Sequence, residues 1–453
     1  MFALRVSPSR NGEAAAAVSS DQVAAYRLDR HHLVTRAVPE AIPKVAGDMA
    51  GVQAQVMSAA RMSLWARTRN LEVGDVEDAL WRDRTLAKTW CMRGTTHLVP
   101  SEDIAVFVGG CARRANRSLE WIVRAGMSLE TIDRIADAVR KVLDRPRTRK
   151  EAAPLLSEAL GVRMSPVTRG GWGGGGKQEG LEFNGEAWSV GSMLYLACVR
   201  GIACAGPENG NEATYVRTDA WLTRPRELSV EEAESELLRR YLHAYGPATV
   251  ADFAWWTYMK AADAREVWAR EAPGLAAVDV DGRPGWIPRS DLRSLERASI
   301  DAPVVRLLPY FDAYLLGHKN KAHLVDAAHY TRVYRPAGWL SPVVLVDGRI
   351  AGVWSYARKG KRLAVRVEPF TRLGPSIRSA IHDEAEDLGR FLDLPDVRVS
   401  FTGGGRGPRP FRGPTPPRPR ARGSRGARGP PSHRGGPPQS GACRTASRRS
   451  RRA

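Results

Sequence analysis

One arrangement occurs three times along this chain: paired helix-compatible segments followed by two β-prone runs that meet at a Gly-containing turn. In the middle, residues 147–160 (RTRKEAAPLLSEAL) have helical composition, with Pro154 as a kink point. Residues 188–200 (WSVGSMLYLACVR) place Val190, Met193, Leu194 and Ala197 on one helical face. IACAGP and EATYVR then flank Asn209-Gly210, a dipeptide that suits a hairpin turn. Farther on, 231–245 reads as a strong helix ended by Gly246-Pro247, and Thr249 with Asp252 opens another in capping-box fashion. Residues 261–270 add a further helix, and LAAVDVDGRPGWIP turns at Asp281-Gly282. N-terminally, helices near 20–27, 39–51 and 57–67 precede TLAKTWCMRGTTHLV, which turns near Arg93-Gly94. Helix, helix, hairpin is the plan of the winged helix-turn-helix. The expected fold class is α+β: tandem winged helix-turn-helix modules plus a C-terminal β-rich unit. That last unit turns at Asp347-Gly348 and Lys359-Gly360 and closes with a helix over 374–393.

The expected boundaries are a flexible N-terminus (1–19), three winged-helix modules (20–135, 136–225 and 226–300), a β-rich unit (301–400) and a tail (401–453). Composition marks the tail sharply. Residues 402–453 hold 14 Arg, 11 Gly, 10 Pro and no Asp or Glu, so they have almost nothing apolar to offset ordering entropy and are expected to be disordered. Such a mixture is also what GC-rich DNA encodes in a shifted frame. The alternative is an RGG-like nucleic-acid tail, which would want interleaved aromatics where only Phe411 occurs. Without the tail, the net charge falls from +20 to +6, so the folded body is only mildly basic. No apolar run approaches the roughly 18 residues of a membrane span, and Met1–Ser20 has no apolar h-region. A membrane partner is therefore not expected, and a cytoplasmic location is. The five cysteines form no CxxC, which supports neither a disulfide framework nor a zinc ribbon.

Several local patterns invite chemistry and have a plainer explanation. Gly171–Lys177 imitates a P-loop, but Gln178 stands where Ser or Thr would hold Mg²⁺, and no strand precedes it. His318, His323, Asp326 and His329 match no zinc spacing, and Lys319 and Lys321 add positive charge among them. Trp255, Trp256, Trp268 and Trp354 read as core. No metal and no cofactor is expected.

An ordered set of short motifs points further. Gly51-Val52-Gln53-Ala54-Gln55 precedes SLWARTR; then come Met92-Arg93-Gly94-Thr95-Thr96-His97-Leu98-Val99, Gly210–Tyr215, Tyr245–Thr249, Pro309–Gly317 and Val346–Arg349. Together, from about residue 20 to about 400, they resemble the bacterial winged-helix DNA glycosylases that excise bulky alkylated purines and unhook interstrand crosslinks. The tail matches nothing in that family. The resemblance implies a Gln-x-Gln catalytic motif at Gln53 and Gln55. It makes His97 and Asp312 candidate active-site neighbours, where the plainer alternatives are a satisfied core histidine and a buried, hydrogen-bonded carboxylate. It implies a monofunctional glycosylase acting on N7-alkylated purines, and a partner that is double-stranded DNA bound by a monomer. For phosphate contacts it favours Arg358, Lys359, Lys361 and Arg362 at one hairpin tip and Arg113, Arg114 and Arg117 on one helix face. A non-catalytic winged-helix DNA-binding protein or transcriptional regulator is the alternative.

Two amides suffice for such chemistry because an N7-alkylated purine is already a cationic leaving group. The site must hold a water and orient it. Amides at i and i+2 share a side only on extended backbone. The motif is therefore expected at a turn or a helix break.

Overall fold

A computed structural model describes residues 15–167, 179–210, 212–223 and 226–402. The P-loop-like glycines at 171–176 and the Arg/Gly/Pro tail lie outside the described residues.

The chain enters through β1 (Ala16–Val18) and α1 (Ser20–Arg30), whose start is set by a capping box between Ser19 and Gln22. The first repeat follows: α2 (Ile42–Asp48), β2 (Val52–Gln53), α3 (Met57–Trp65), α4 (Val73–Glu77), β3 (Leu86–Trp90) and β4 (Thr96–Pro100). Helices α5 (Ile104–Gly109) and α6 (Ala112–Arg124) lead to the second: α7 (Leu129–Val142), β5 (Arg147–Thr148), α8 (Arg149–Leu160), hairpin β6 (Gly180–Phe183) and β7 (Glu186–Ser189), α9 (Val190–Val199), β8 (Ala203–Asn209) and β9 (Glu212–Arg217). After a short α10 (Thr218–Trp221) the third has α11 (Val230–Tyr245), α12 (Val250–Thr257), α13 (Ala261–Glu271), β10 (Leu275–Val280) and β11 (Arg283–Pro288).

The three repeats share a strand order. The sheets run β2-β4-β3 and β5-β9-β8, and in the third Ala248 bridges Trp286 on β11, which pairs β10. In each, the strand before the paired helices joins the second strand of the hairpin. The turn at Asp281-Gly282 has both central residues left-handed, with φ 48° and 81°, as a two-residue hairpin connection requires. A C-terminal sheet follows α14 (Leu292–Glu296). Its strands are β12 (Val305–Leu308), β13 (Val343–Val346), β14 (Arg349–Lys359), β15 (Arg362–Pro369) and β16 (Asp396–Phe401), in sequence order, with α15 (Tyr330–Val333) and α16 (Pro375–Phe391) between them.

The hydrophobic cores do not follow the expected boundaries. Leu33, Val45, Trp65, Leu80 and Leu98 pack in one core with Leu307, Leu345, Val365 and Leu388, so the first repeat and the C-terminal sheet are a single packed body. The N-terminus also departs from expectation. Residues 16–18 are not a flexible lead but a strand pairing parallel with β10, and Val23 and Tyr26 of α1 pack with Val278, Ile287 and Leu295 of the third repeat. Nor does the fold end at its closing helix, because β16 adds a parallel edge strand to β15. Pro154 lies inside α8, which continues past it.

Candidate active site around the glutamine pair

The glutamines sit where the first repeat passes from strand to helix. Gly51 (φ 94°) opens the segment, and a side chain there would meet Met92 Cε at 2.9 Å and His97 Cδ2 at 3.7 Å. Only Gly combines that backbone with that approach. Val52 and Gln53 pair with Leu98 and His97 of β4, and the Ala54 N–H donates to the Thr96 carbonyl at 2.7 Å. Gln55 lies in a bend before α3 begins at Met57. The pair therefore spans extended backbone at a helix start. Gln53 is 7% exposed, whereas Gln55 is exposed and makes no hydrogen bond to the described residues.

Cross-strand pairing builds the rest. His97 lies opposite both Gln53 and Thr89, so the three form a row across the sheet. Arg93, in the β3–β4 turn, donates from Nη2 to Gln53 Oε1 at 3.2 Å and lies 3.1 Å from His97 Nε2. Its Nη1 donates to the Trp256 carbonyl at 3.2 Å. Arg93 holds φ 54°, a left-handed conformation that costs a non-Gly residue about 1–2 kcal/mol. Gly94 follows at φ 71°, and Arg114 covers it so closely that a side chain would come within 2.6 Å of Nη1.

The electrostatics of this row are cationic. Burial, then Arg93 and Arg114, push the His97 imidazole well below its ordinary range, and the Thr95 carbonyl does not offset them. Burial, then Arg93, push the Lys321 ammonium down to about 7 against the pull of Asp252. Lys321 lies 4.3 Å from the Trp255 ring centroid and donates to the Leu315 carbonyl at 2.9 Å. Burial raises Cys111 to about 11, so its thiol is not a nucleophile at neutral pH. Among the described residues, neither Gln53, Arg93 nor His97 is bonded to a carboxylate, and no group of three His, Cys, Asp or Glu could hold a metal. The arrangement offers amide donors and acceptors beside fixed cations, without a carboxylate base.

Other expected site residues fare differently. Asp312 is not an open carboxylate. It is fully buried and paired with Arg67 at 2.7 Å; Ser63 Oγ, Arg67 Nη1 and the Tyr314 N–H fill its remaining acceptor positions. It ties α3 to the segment that follows β12 and has no capacity left for a substrate. Arg113 is not a spare phosphate contact either, because Glu234 at 2.7 Å and Glu266 at 2.6 Å take its guanidinium. Arg114 is bonded to the Tyr195 hydroxyl and Arg117 to the Tyr258 carbonyl. At the β14–β15 tip, Arg358, Lys359 and Lys361 are exposed, whereas Arg362 pairs with Asp396 at 2.6 Å. His318 is buried against Arg27, which lies 3.0 Å from its Nε2. Trp256, Trp268 and Trp354 are core, and Trp255 is half-buried. A cavity of about 470 Å³ is lined by Arg27, His318, His323 and Arg349 among others, and by none of Gln53, Arg93 and His97. The residue the sequence reading missed is Arg93, used there only as a turn. The available signal was an Arg-Gly turn where Asn-Gly or Asp-Gly would be free of strain.

Comparison with known proteins gives the family. A model of the DNA glycosylase AlkZ-like family matches residues 46–391. An interstrand DNA cross-link repair glycosylase of Streptomyces sahachiroi is 31% identical over 381 residues, which are 82% of this chain and 95% of that protein. The solved structure of the Streptomyces sahachiroi DNA glycosylase AlkZ matches with a TM-score of 0.69 at 29% identity, over 85% of this chain and all of that one. No helix among the described residues is long and apolar enough to cross a membrane.

Proposed function

The chain belongs to the AlkZ-like DNA glycosylases, and from that premise we propose that it hydrolyses the N-glycosidic bond of bulky or N7-alkylated purines, with Gln53 and Gln55 as its catalytic residues. The observation that carries this reading is the placement of the pair: extended, at a helix start, one amide anchored beside His97 and the other open. An N7-alkylated purine needs no strong acid or base to leave. Water oxygen bonds to C1′ as the C1′–N9 bond breaks, and that electron pair neutralises the cationic base. The water proton then passes to solvent. The amides hold and aim the water. The reaction is monofunctional hydrolysis, with no amine in the motif to form a Schiff base. The relative's cross-link repair name supports extending the substrate to interstrand crosslinks.

The three repeats serve as winged-helix modules that wrap duplex DNA, and the exposed Arg358, Lys359 and Lys361 at the β14–β15 tip contact its backbone. The protein acts as a monomer, with duplex DNA as its partner. The test is incubation with a duplex containing N7-methylguanine, scoring abasic sites. Accumulation of abasic sites, abolished when both glutamines are alanine, supports the reading. Binding without any base release favours a non-catalytic DNA-binding protein.

A further inference from the structure

We propose that Arg93 is a positioning residue for the glutamine pair: it fixes which atom of Gln53 faces the reaction and which tautomer His97 adopts. The inference rests on the glycosylase reading above. An arginine only donates hydrogen bonds. Its Nη2 stands 3.2 Å from Gln53 Oε1 and 3.1 Å from His97 Nε2, so both of those atoms accept. The Gln53 carbonyl oxygen is therefore turned to Arg93, and its NH₂ is left for a bound molecule. His97 carries its proton on Nδ1, where the N–H donates to the Thr95 carbonyl at 3.0 Å. The two assignments agree without adjustment, because one donor fork demands both.

Arg93 is itself held at both ends. Nη1 donates to the Trp256 carbonyl at 3.2 Å, and the guanidinium lies 6.0 Å from the Trp256 ring centroid. Trp256 is 1% exposed, in a core that the third repeat shares with Cys91, Met92 and Val99 of the first, so α12 supports the β3–β4 turn that orients a residue of β2. A division of labour follows. Gln53 donates to the water oxygen, and exposed Gln55 accepts from the water. An amide without its fixed partner turns freely about its terminal torsion, and oxygen and nitrogen then exchange places. Without Arg93 a large share of molecules would present the wrong atom to the water.

The experiment compares wild type, Arg93→Ala and Arg93→Lys in single-turnover release of N7-methylguanine, with duplex affinity measured alongside. Arg93→Ala should slow release about 10- to 100-fold, as expected when a positioning group is removed. Duplex affinity should stay within about threefold, since Arg93 makes no bond to phosphate in this reading. Millimolar guanidinium should restore part of the rate. Arg93→Lys, which keeps a cation but not the fork, should fall between and decides the matter if the alanine variant fails to fold. Nitrogen NMR of His97 gives a second readout, independent of turnover. Wild type should show a protonated Nδ1 and a bare Nε2, and the variants a mixture that titrates closer to the ordinary histidine range. An unchanged rate, a fall in rate matched by a fall in affinity, or an unaltered His97 in the variants would overturn the proposal. A wild type that releases no base defeats the glycosylase reading instead, and the His97 nitrogens still decide whether Arg93 sets the ring.

Discussion

One residue separates Gln53 from Gln55, yet the first is held by Arg93 and the second faces solvent. In the proposed mechanism both nevertheless serve one water. Each Gln→Ala change should therefore slow base release by about 10- to 1000-fold while sparing DNA binding. The double change should cost less than the product of the singles. Wild-type excision by the double variant in a gel assay of abasic sites would refute the assignment. Lys321 supports a prediction about pH. Its folded value of about 7 lies below the roughly 10.4 of an unfolded lysine, so between those limits the unfolded chain binds more protons. Stability should rise with pH across that window; below it Lys321 is charged in both states and adds no pH dependence. Lys321→Met leaves the Leu315 carbonyl with the Tyr334 hydroxyl as donor and removes the titration. Melting from pH 7 to 9.5 should shift the comparison in favour of wild type, and parallel melts would contradict the linkage. The glutamine pair was legible through the ordered motif set that resembles the family, and its spacing called for the extended backbone on which it lies. Arg93 was not, because its role needs a left-handed turn and a partner forty residues back in the chain. Of the two readings of Asp312 the buried, hydrogen-bonded one holds, although nothing local announces that Arg67, from another element, is the residue that saturates it.

At the level of elements, legibility tracked how local the physics is. The Thr249–Asp252 capping box and the hairpin at Asp281-Gly282 are set by neighbours within a few residues, and both occur as read. Strands β1 and β16 were missed because each is an edge strand defined by a distant partner, β10 and β15 respectively, rather than by its own pattern. The β14–β15 hairpin is the element on which DNA binding should depend most simply. Lys359 and Lys361 flank Gly360 (φ 63°) and make no side-chain hydrogen bond or ion pair to the described residues, so reversing them breaks nothing in the fold. Lys359→Glu with Lys361→Glu should weaken duplex binding and flatten its salt dependence by nearly one logarithmic slope for each phosphate no longer neutralised. Arg362→Glu is a poorer probe because it also breaks the pair with Asp396. An unchanged Kd and salt slope in the folded double variant would take the hairpin out of the interface.

Across the whole molecule, sequence order and packing order differ, and that was the part least readable in the chain. Three repeats and a β-rich unit suggest four beads on a string. Instead Trp65 of α3 stacks on Phe391 of α16 at 6.2 Å and donates from its indole N–H to Asp387 at 2.9 Å. Arg36 reaches the buried Glu384 at 2.8 Å, and Arg67 meets Asp312 with both side chains fully buried. Such a pair is costly to break, about 3–5 kcal/mol, because the orphaned partner stays out of water. By contrast, most of the middle repeat's buried residues, Ile132, Leu156, Leu194 and Tyr215 among them, share a core with Ala115 of α6, to which the first repeat adds the partly buried Trp90. The two cases predict opposite behaviour on dissection. A fragment spanning 112–222, which keeps α6, should melt cooperatively by itself. A fragment spanning 301–402 should not, since it would expose the faces of Leu307, Leu345 and Leu388 that the first repeat covers. Expressed together with 1–300, the second fragment should recover a cooperative transition and base-release activity by reassembling the shared core. A cooperative melt of 301–402 alone, followed calorimetrically, would show that the shared core is dispensable and that the units are independent after all.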